Sequence, residues 1–187
     1  PRGMKLHMDG ARFANAVAGL NVTPAELTWK SGVDALSFGA TKNGAMMLEA
    51  VVFFDTNLAD DFIYRRMRGG QLVSKGRYLG AQMLAYLKDG LWLENARQAN
   101  GLAAQLAEGL GKFKKLRIPN PVQANEVFAV MPRALSDKLL ASGAKFYDWM
   151  PDSLGKAIAD DEIFVRFVLS YATPEADVRK FLDLAKD

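Results

Sequence analysis

The chain has 187 residues, 50% of them hydrophobic and 24% charged, enough apolar mass to bury a core in one or two compact units and too much for a disordered chain. Lys and Arg number 24 against 21 Asp and Glu, and apart from Arg65-Arg66-Met67-Arg68 the basic residues are scattered, so the net charge of +3 implies no nucleic-acid partner. Cysteine is absent, which excludes disulfides and thiolate metal sites, and no apolar run nears the roughly 20 residues that cross a bilayer. A cytoplasmic protein without membrane attachment is expected.

Leu6 to Met8 reads as a short apolar strand, Asp9-Gly10 as a turn, and Arg12 to Ala18 as an alanine-rich helix closed by Gly19. Thr23-Pro24-Ala25-Glu26 combines a capping hydroxyl, a proline in the first turn and a glutamate three residues on, so a helix starts there and is expected to end near Ser31-Gly32. Val33 to Phe38 and Glu49 to Phe54 are apolar enough for strands covered on both faces. Asp55-Thr56-Asn57 should cap a helix over Leu58 to Arg68 that Gly69-Gly70 breaks. Helices follow over Ser74 to Lys88, with Leu79, Met83 and Leu87 in register, and over Leu91 to Leu110, with Leu102, Leu106 and Leu110 in register.

Beyond Gly111 and the lysines at 112, 114 and 115 the elements shorten between prolines 119, 121 and 132, which sets an expected domain boundary near residue 112. Residues 1–111 form one domain in this reading and residues 112–187 a small α/β domain. Its expected elements are a strand over Glu126 to Met131, a helix over Pro132 to Ser142, strands over Phe146 to Met150 and Glu162 to Leu169, and a closing helix over Pro174 to Lys186.

The chemistry concentrates at the ends of the first two strands. Ser37-Phe38-Gly39-Ala40-Thr41-Lys42-Asn43-Gly44 places a lysine in a Gly-flanked loop, and Leu6 to Arg12 places an acid and then an arginine after a strand. Strand ends are where α/β proteins bind ligands, so Lys42, Asp9 and Arg12 are expected to share one rim. That trio suits pyridoxal 5'-phosphate: a lysine holds its aldehyde as a Schiff base, an aspartate keeps the ring nitrogen protonated, and an arginine grips a substrate carboxylate with two parallel bonds. Each of the three alone reads as an ordinary surface residue or helix cap.

His7 to Ala16, Pro24 to Lys30, Asp34 and Phe38 to Gly44 together resemble the low-specificity L-threonine aldolases among the fold-type I pyridoxal-phosphate enzymes, most strongly over residues 5–110. The resemblance implies the C-terminal part of a fold-type I large domain, a mostly parallel sheet with helices, followed by a small C-terminal α/β domain. It makes Lys42 the Schiff-base lysine, Asp9 the partner of the pyridine nitrogen and Arg12 a substrate-carboxylate ligand. Val165-Arg166-Phe167-Val168 resembles the strand that carries a second carboxylate arginine, Arg166. The implied reaction cleaves L-threonine or L-allo-threonine to glycine and an aldehyde, in a homodimer or homotetramer when complete.

Other residues have two readings. Thr41 and Ser37 either touch the cofactor phosphate or satisfy nearby backbone. Arg166, a charge in a hydrophobic strand, needs a partner, either the substrate carboxylate or a structural acid such as Asp160 or Glu162. Arg77 is a candidate for reaching a phosphate across a subunit interface. His7, the only histidine, is read as structural or as support for Asp9, with no metal site implied. Trp29, Trp92 and Trp149 are expected in the core. The opening Pro-Arg-Gly-Met leads almost directly into a strand, so the chain is expected to be a fragment whose missing part supplies a phosphate loop and further histidines. The alternatives are another fold-type I reaction (elimination, racemisation or transamination) and a folded domain that binds no cofactor.

Overall fold

In the computed structural model, which describes residues 3–150 and 158–186, β1 (His7–Gly10) pairs parallel with β2 (Ala35–Gly39), and β3 (Glu49–Phe53) runs antiparallel on the other side of β2. Alternation sorts the side chains of this sheet into two faces. Met8, Leu36, Phe38, Ala50 and Val52 pack with Phe13 and Val17 of helix α1 (Phe13–Leu20). His7, Asp9, Ser37 and Val51 take the other face, where His7, Asp9 and Val51 are exposed. β2 has no exposed residue, as expected of a strand covered on both faces, whereas β3 exposes Glu49 and Val51, so the expectation fails there.

Local chemistry sets the helix ends. Helix α1 runs past Gly19 and stops where Asn21 adopts the left-handed conformation (φ 52°), which asparagine tolerates better than most residues. At α2 (Pro24–Leu27) the capping box forms as expected, with Thr23 Oγ1 accepting from the Glu26 amide and Glu26 Oε2 from the Thr23 amide. That helix is shorter than expected: Thr28 leaves helical geometry, its hydroxyl bonds back to the Pro24 carbonyl, and a 3₁₀ turn over Trp29–Ser31 ends at left-handed Gly32. The helix expected over Leu58 to Arg68 is split by left-handed Asp61 into a 3₁₀ turn (Thr56–Ala59) and α3 (Phe62–Arg68). Next come α4 (Arg77–Leu87) and α5 (Leu91–Leu110), the latter with the boundaries its leucine spacing indicates.

The chain divides into two compact units, Pro1–Ala96 and Arg97–Asp187, with the division inside α5. In the second unit β4 (Glu126–Pro132) leads into α6 (Arg133–Ala141), then β5 (Tyr147–Asp148), β6 (Glu162–Val168) and α7 (Glu175–Ala185). The strands form an antiparallel sheet in the order β4-β6-β5. Val127, Ala129 and Met131 of β4 and Val165 and Phe167 of β6 turn inward against Leu106 and Leu110 of α5, Leu139 of α6 and Val178 of α7. Trp92 packs in the first unit's core, but Trp29 is 53% exposed, against the expectation for it.

Candidate cofactor and substrate site

Because β1 and β2 are parallel, both end at the same edge of their sheet, and the residues that follow them are brought to that edge. Arg12 follows Gly10 at the start of α1, and Lys42 follows Gly39 in a one-turn 3₁₀ helix, Thr41–Asn43. Two glycines permit this closeness. A Cβ on Gly39 would lie 2.7 Å from the Ala11 Cα, and one on Gly10 would lie 2.5 Å from the Ser37 carbonyl oxygen. The turn after β1 and the end of β2 are thus pressed together backbone to backbone.

Asp9 pairs in register with Ser37 on the exposed face of the sheet. Its Oδ1 accepts from the Ala11 amide at 2.9 Å, which fixes the carboxylate and leaves Oδ2 without a hydrogen bond among the described residues. Ser37 Oγ lies 2.8 Å from His7 Nε2, so His7 is tied to the serine. Thr41 takes the backbone-satisfying role, its hydroxyl donating to the Leu48 carbonyl at 3.1 Å and accepting from the Leu48 amide at 2.9 Å. The Lys42 side chain is exposed, and Arg12 is half-buried. Arg77 opens α4 as an exposed residue, its guanidinium 5.8 Å from the Tyr78 ring centroid.

Arg166 belongs to the second unit. Its structural partner is neither Asp160 nor Glu162. Arg166 Nη1 lies 3.3 Å from Glu126 Oε1, and its guanidinium carbon is 4.0 Å from the Trp149 ring centroid. Glu162 instead takes both guanidinium nitrogens of Arg117, at 2.7 and 2.9 Å, and that contact holds its carboxyl below the ordinary carboxylate range. The reason lies in register: Phe128 pairs with Arg166, so Glu126, two residues earlier on β4, shares its face.

Sequence reasoning missed Asn43, Tyr86, Gln82, Asn95, Glu126 and Trp149. Asn43 is 4% exposed and donates from Nδ2 to the Tyr86 hydroxyl at 2.6 Å and to the Trp92 carbonyl at 2.8 Å. Its only signal in the sequence is its position between Lys42 and Gly44, where an asparagine reads as a turn former.

Residues 1–134 match the family described as beta-eliminating lyase. The chain belongs to that family. Within it, the chain is 44% identical over 178 residues to a low-specificity L-threonine aldolase of Pseudomonas sp., an alignment covering 95% of this chain and 49% of that protein. It is 43% identical to the low-specificity L-threonine aldolase of Pseudomonas aeruginosa, over 99% of this chain and 50% of that protein. The structure superposes on Leishmania major threonine aldolase with a TM-score of 0.87 at 27% identity, covering 98% of this chain and 52% of that one. The chain thus spans about half the length of these beta-eliminating lyase relatives. The mixed α/β fold is that of fold-type I threonine aldolases, as the resemblance implied, and the family is one of pyridoxal-phosphate enzymes.

Proposed function

We propose that the protein carrying this chain cleaves β-hydroxy-α-amino acids, L-threonine and L-allo-threonine among them, to glycine and an aldehyde with pyridoxal phosphate as cofactor. The observation that carries this reading is the parallel pair β1 and β2, which aligns Asp9 with Ser37 on one exposed face and sends Arg12 and Lys42 from the same edge. The donor set fits the cofactor in kind: an amine for the aldehyde, a fixed carboxylate with a spare oxygen, and hydroxyls beside them. When bound, the cofactor supplies an electron sink for the bond that breaks.

The residues of this chain do the rest. Lys42 would hold the cofactor aldehyde through Nζ. Asp9 holds the proton on the ring nitrogen with the oxygen that Ala11 does not use. Arg12 orients the substrate carboxylate, and Arg166 of the second unit is a further carboxylate ligand of the same chemistry. With His7 donating from Nε2, the Ser37 hydroxyl keeps its hydrogen for a phosphate oxygen, whereas the Thr41 hydroxyl would have to give up its bond to the Leu48 carbonyl to do the same. Residues 1–111, the first compact unit together with the whole of the linking helix α5, are assigned to the cofactor-binding domain, and residues 112–187 to the small domain of a cytoplasmic homodimer or homotetramer. Its partner is a small amino-acid substrate.

Two measurements test the reading. Incubation with L-threonine and pyridoxal phosphate should yield glycine and acetaldehyde, and borohydride reduction should leave a phosphopyridoxyl group on Lys42. An oxo acid as the product would overturn the aldolase reading in favour of elimination or transamination. Labelling at lysines other than Lys42 would overturn the site.

A further inference from the structure

We infer that Asn43 is the positioning residue for Lys42, acting through a buried anchor that ties the lysine turn to α4 and α5; the inference rests on the proposed role of Lys42. Lysine is a charge on a flexible four-carbon stem, so the reach of its Nζ is defined only as well as its backbone is held. Here the backbone is held from both sides. Before Lys42, Thr41 closes the loop with two bonds to Leu48. After it, the Asn43 amide spans the Tyr86 hydroxyl and the Trp92 carbonyl, while Asn95 Nδ2 donates back to the Asn43 carbonyl at 2.9 Å.

The loop beyond is pinned as well, by Gln82 Oε1 accepting from the amides of Met46 and Met47 at 3.0 and 3.3 Å. Gly44 follows with φ 130°, a backbone conformation that residues with a Cβ rarely adopt. Burial pushes the Tyr86 hydroxyl up, against the opposing pull of its bond from Asn43, so it stays neutral and able to accept. The result is one buried amide flanking one exposed amine. Losing the anchor would free the turn without removing any group expected to touch cofactor or substrate.

The test compares wild type, Asn43→Ala and Tyr86→Phe in the full-length protein. Three readouts are taken: the pyridoxal phosphate concentration giving half-maximal reducible adduct on Lys42, the pH dependence of the bound cofactor's absorbance, and thermal melting. A lost buried hydrogen bond of this kind predicts an apparent affinity about tenfold weaker in Asn43→Ala and about threefold weaker in Tyr86→Phe. The absorbance titration should shift by about half a pH unit in both. Should Asn43→Ala fail to melt cooperatively, Tyr86→Phe decides. Folded variants with wild-type affinity and an unmoved titration would overturn the inference while leaving Lys42 as the cofactor lysine. No Lys42 adduct in the wild type would overturn both.

Discussion

The Arg166 guanidinium stacks on the Trp149 ring, its carbon 4.0 Å from the ring centroid, while Glu126 meets it at 3.3 Å. Trp149 is itself braced by Phe128, edge to face at 5.7 Å, and by a bond from its amide to the Phe164 carbonyl at 2.8 Å. A cation held over an indole contributes about 0.5–1 kcal/mol when partly exposed. A double-mutant cycle with Trp149→Leu and Arg166→Met, read by urea denaturation, should therefore return a coupling of about that size, and Trp149→Phe should keep part of it. Additive effects of the two substitutions would mean that the stacking does not hold the arginine.

Gly39 is where the two site-bearing turns meet, and it leaves no room for a methyl group. With a Cβ 2.7 Å from the Ala11 Cα and 2.9 Å from its carbonyl oxygen, Gly39→Ala must push backbone against backbone. Overpacking of this kind costs about 1–3 kcal/mol. The expected result is an unfolding free energy, from urea denaturation, lowered by that amount, together with reduced labelling of Lys42, since the ends of β1 and β2 would separate. Wild-type stability would show that the turn after β1 yields easily.

What the sequence made legible was local. Helix α5 could be bounded because Leu102, Leu106 and Leu110 repeat on one face, and the α2 start because Thr23 and Glu26 cap each other three residues apart. The placement of Asp9 in β1 and of Arg12 and Lys42 just beyond β1 and β2 was legible because strand, small-residue turn and charged residue are contiguous. Asn43 was not, since its partners Tyr86 and Trp92 lie 43 and 49 residues away and only the packing of α4 and α5 brings them in. The same holds for the Arg166 partner: Asp160 and Glu162 are near in sequence, whereas Glu126 becomes a neighbour only through the β4 to β6 register.

The far end of the first sheet carries a pH-sensitive cluster. Lys5 Nζ lies 2.7 Å from Asp55 and 3.2 Å from Asp34, and Asp34 also accepts from the Leu6 amide at 2.8 Å. The Leu6 amide, then Lys5, holds the Asp34 carboxyl below its ordinary value, and Lys5 does the same for Asp55. A carboxylate depressed in the folded state gives stability that is present above its unfolded value near pH 4 and is lost as pH falls through the lower folded value. The Lys5 amine is raised, chiefly by its bond to Asp55, so its share is complete below its ordinary value near pH 10.5 and fades above it. Urea midpoints measured from pH 7 down to pH 3 should fall in the wild type. In Lys5→Met they should fall less steeply, because both carboxylates lose a partner that favours their charged form. An unchanged slope would place the acid sensitivity elsewhere.

His7 and Ser37 give the last expectation, because their 2.8 Å contact joins β1 to β2 on the exposed face proposed for the cofactor. Net hydrogen bonds contribute about 0.5–1.5 kcal/mol, and exposure puts this one at the low end. His7→Ala and Ser37→Ala should each cost about 0.5 kcal/mol, and the double variant should cost little more than either alone, since both singles break the same bond. Cofactor retention separates the two further. If the serine hydroxyl serves the phosphate as proposed, Ser37→Ala weakens binding of pyridoxal phosphate more than His7→Ala does, although their effects on stability match. Equal losses of binding would mean that the pair acts only by holding the strands in register, and equal retention would remove Ser37 from the cofactor site.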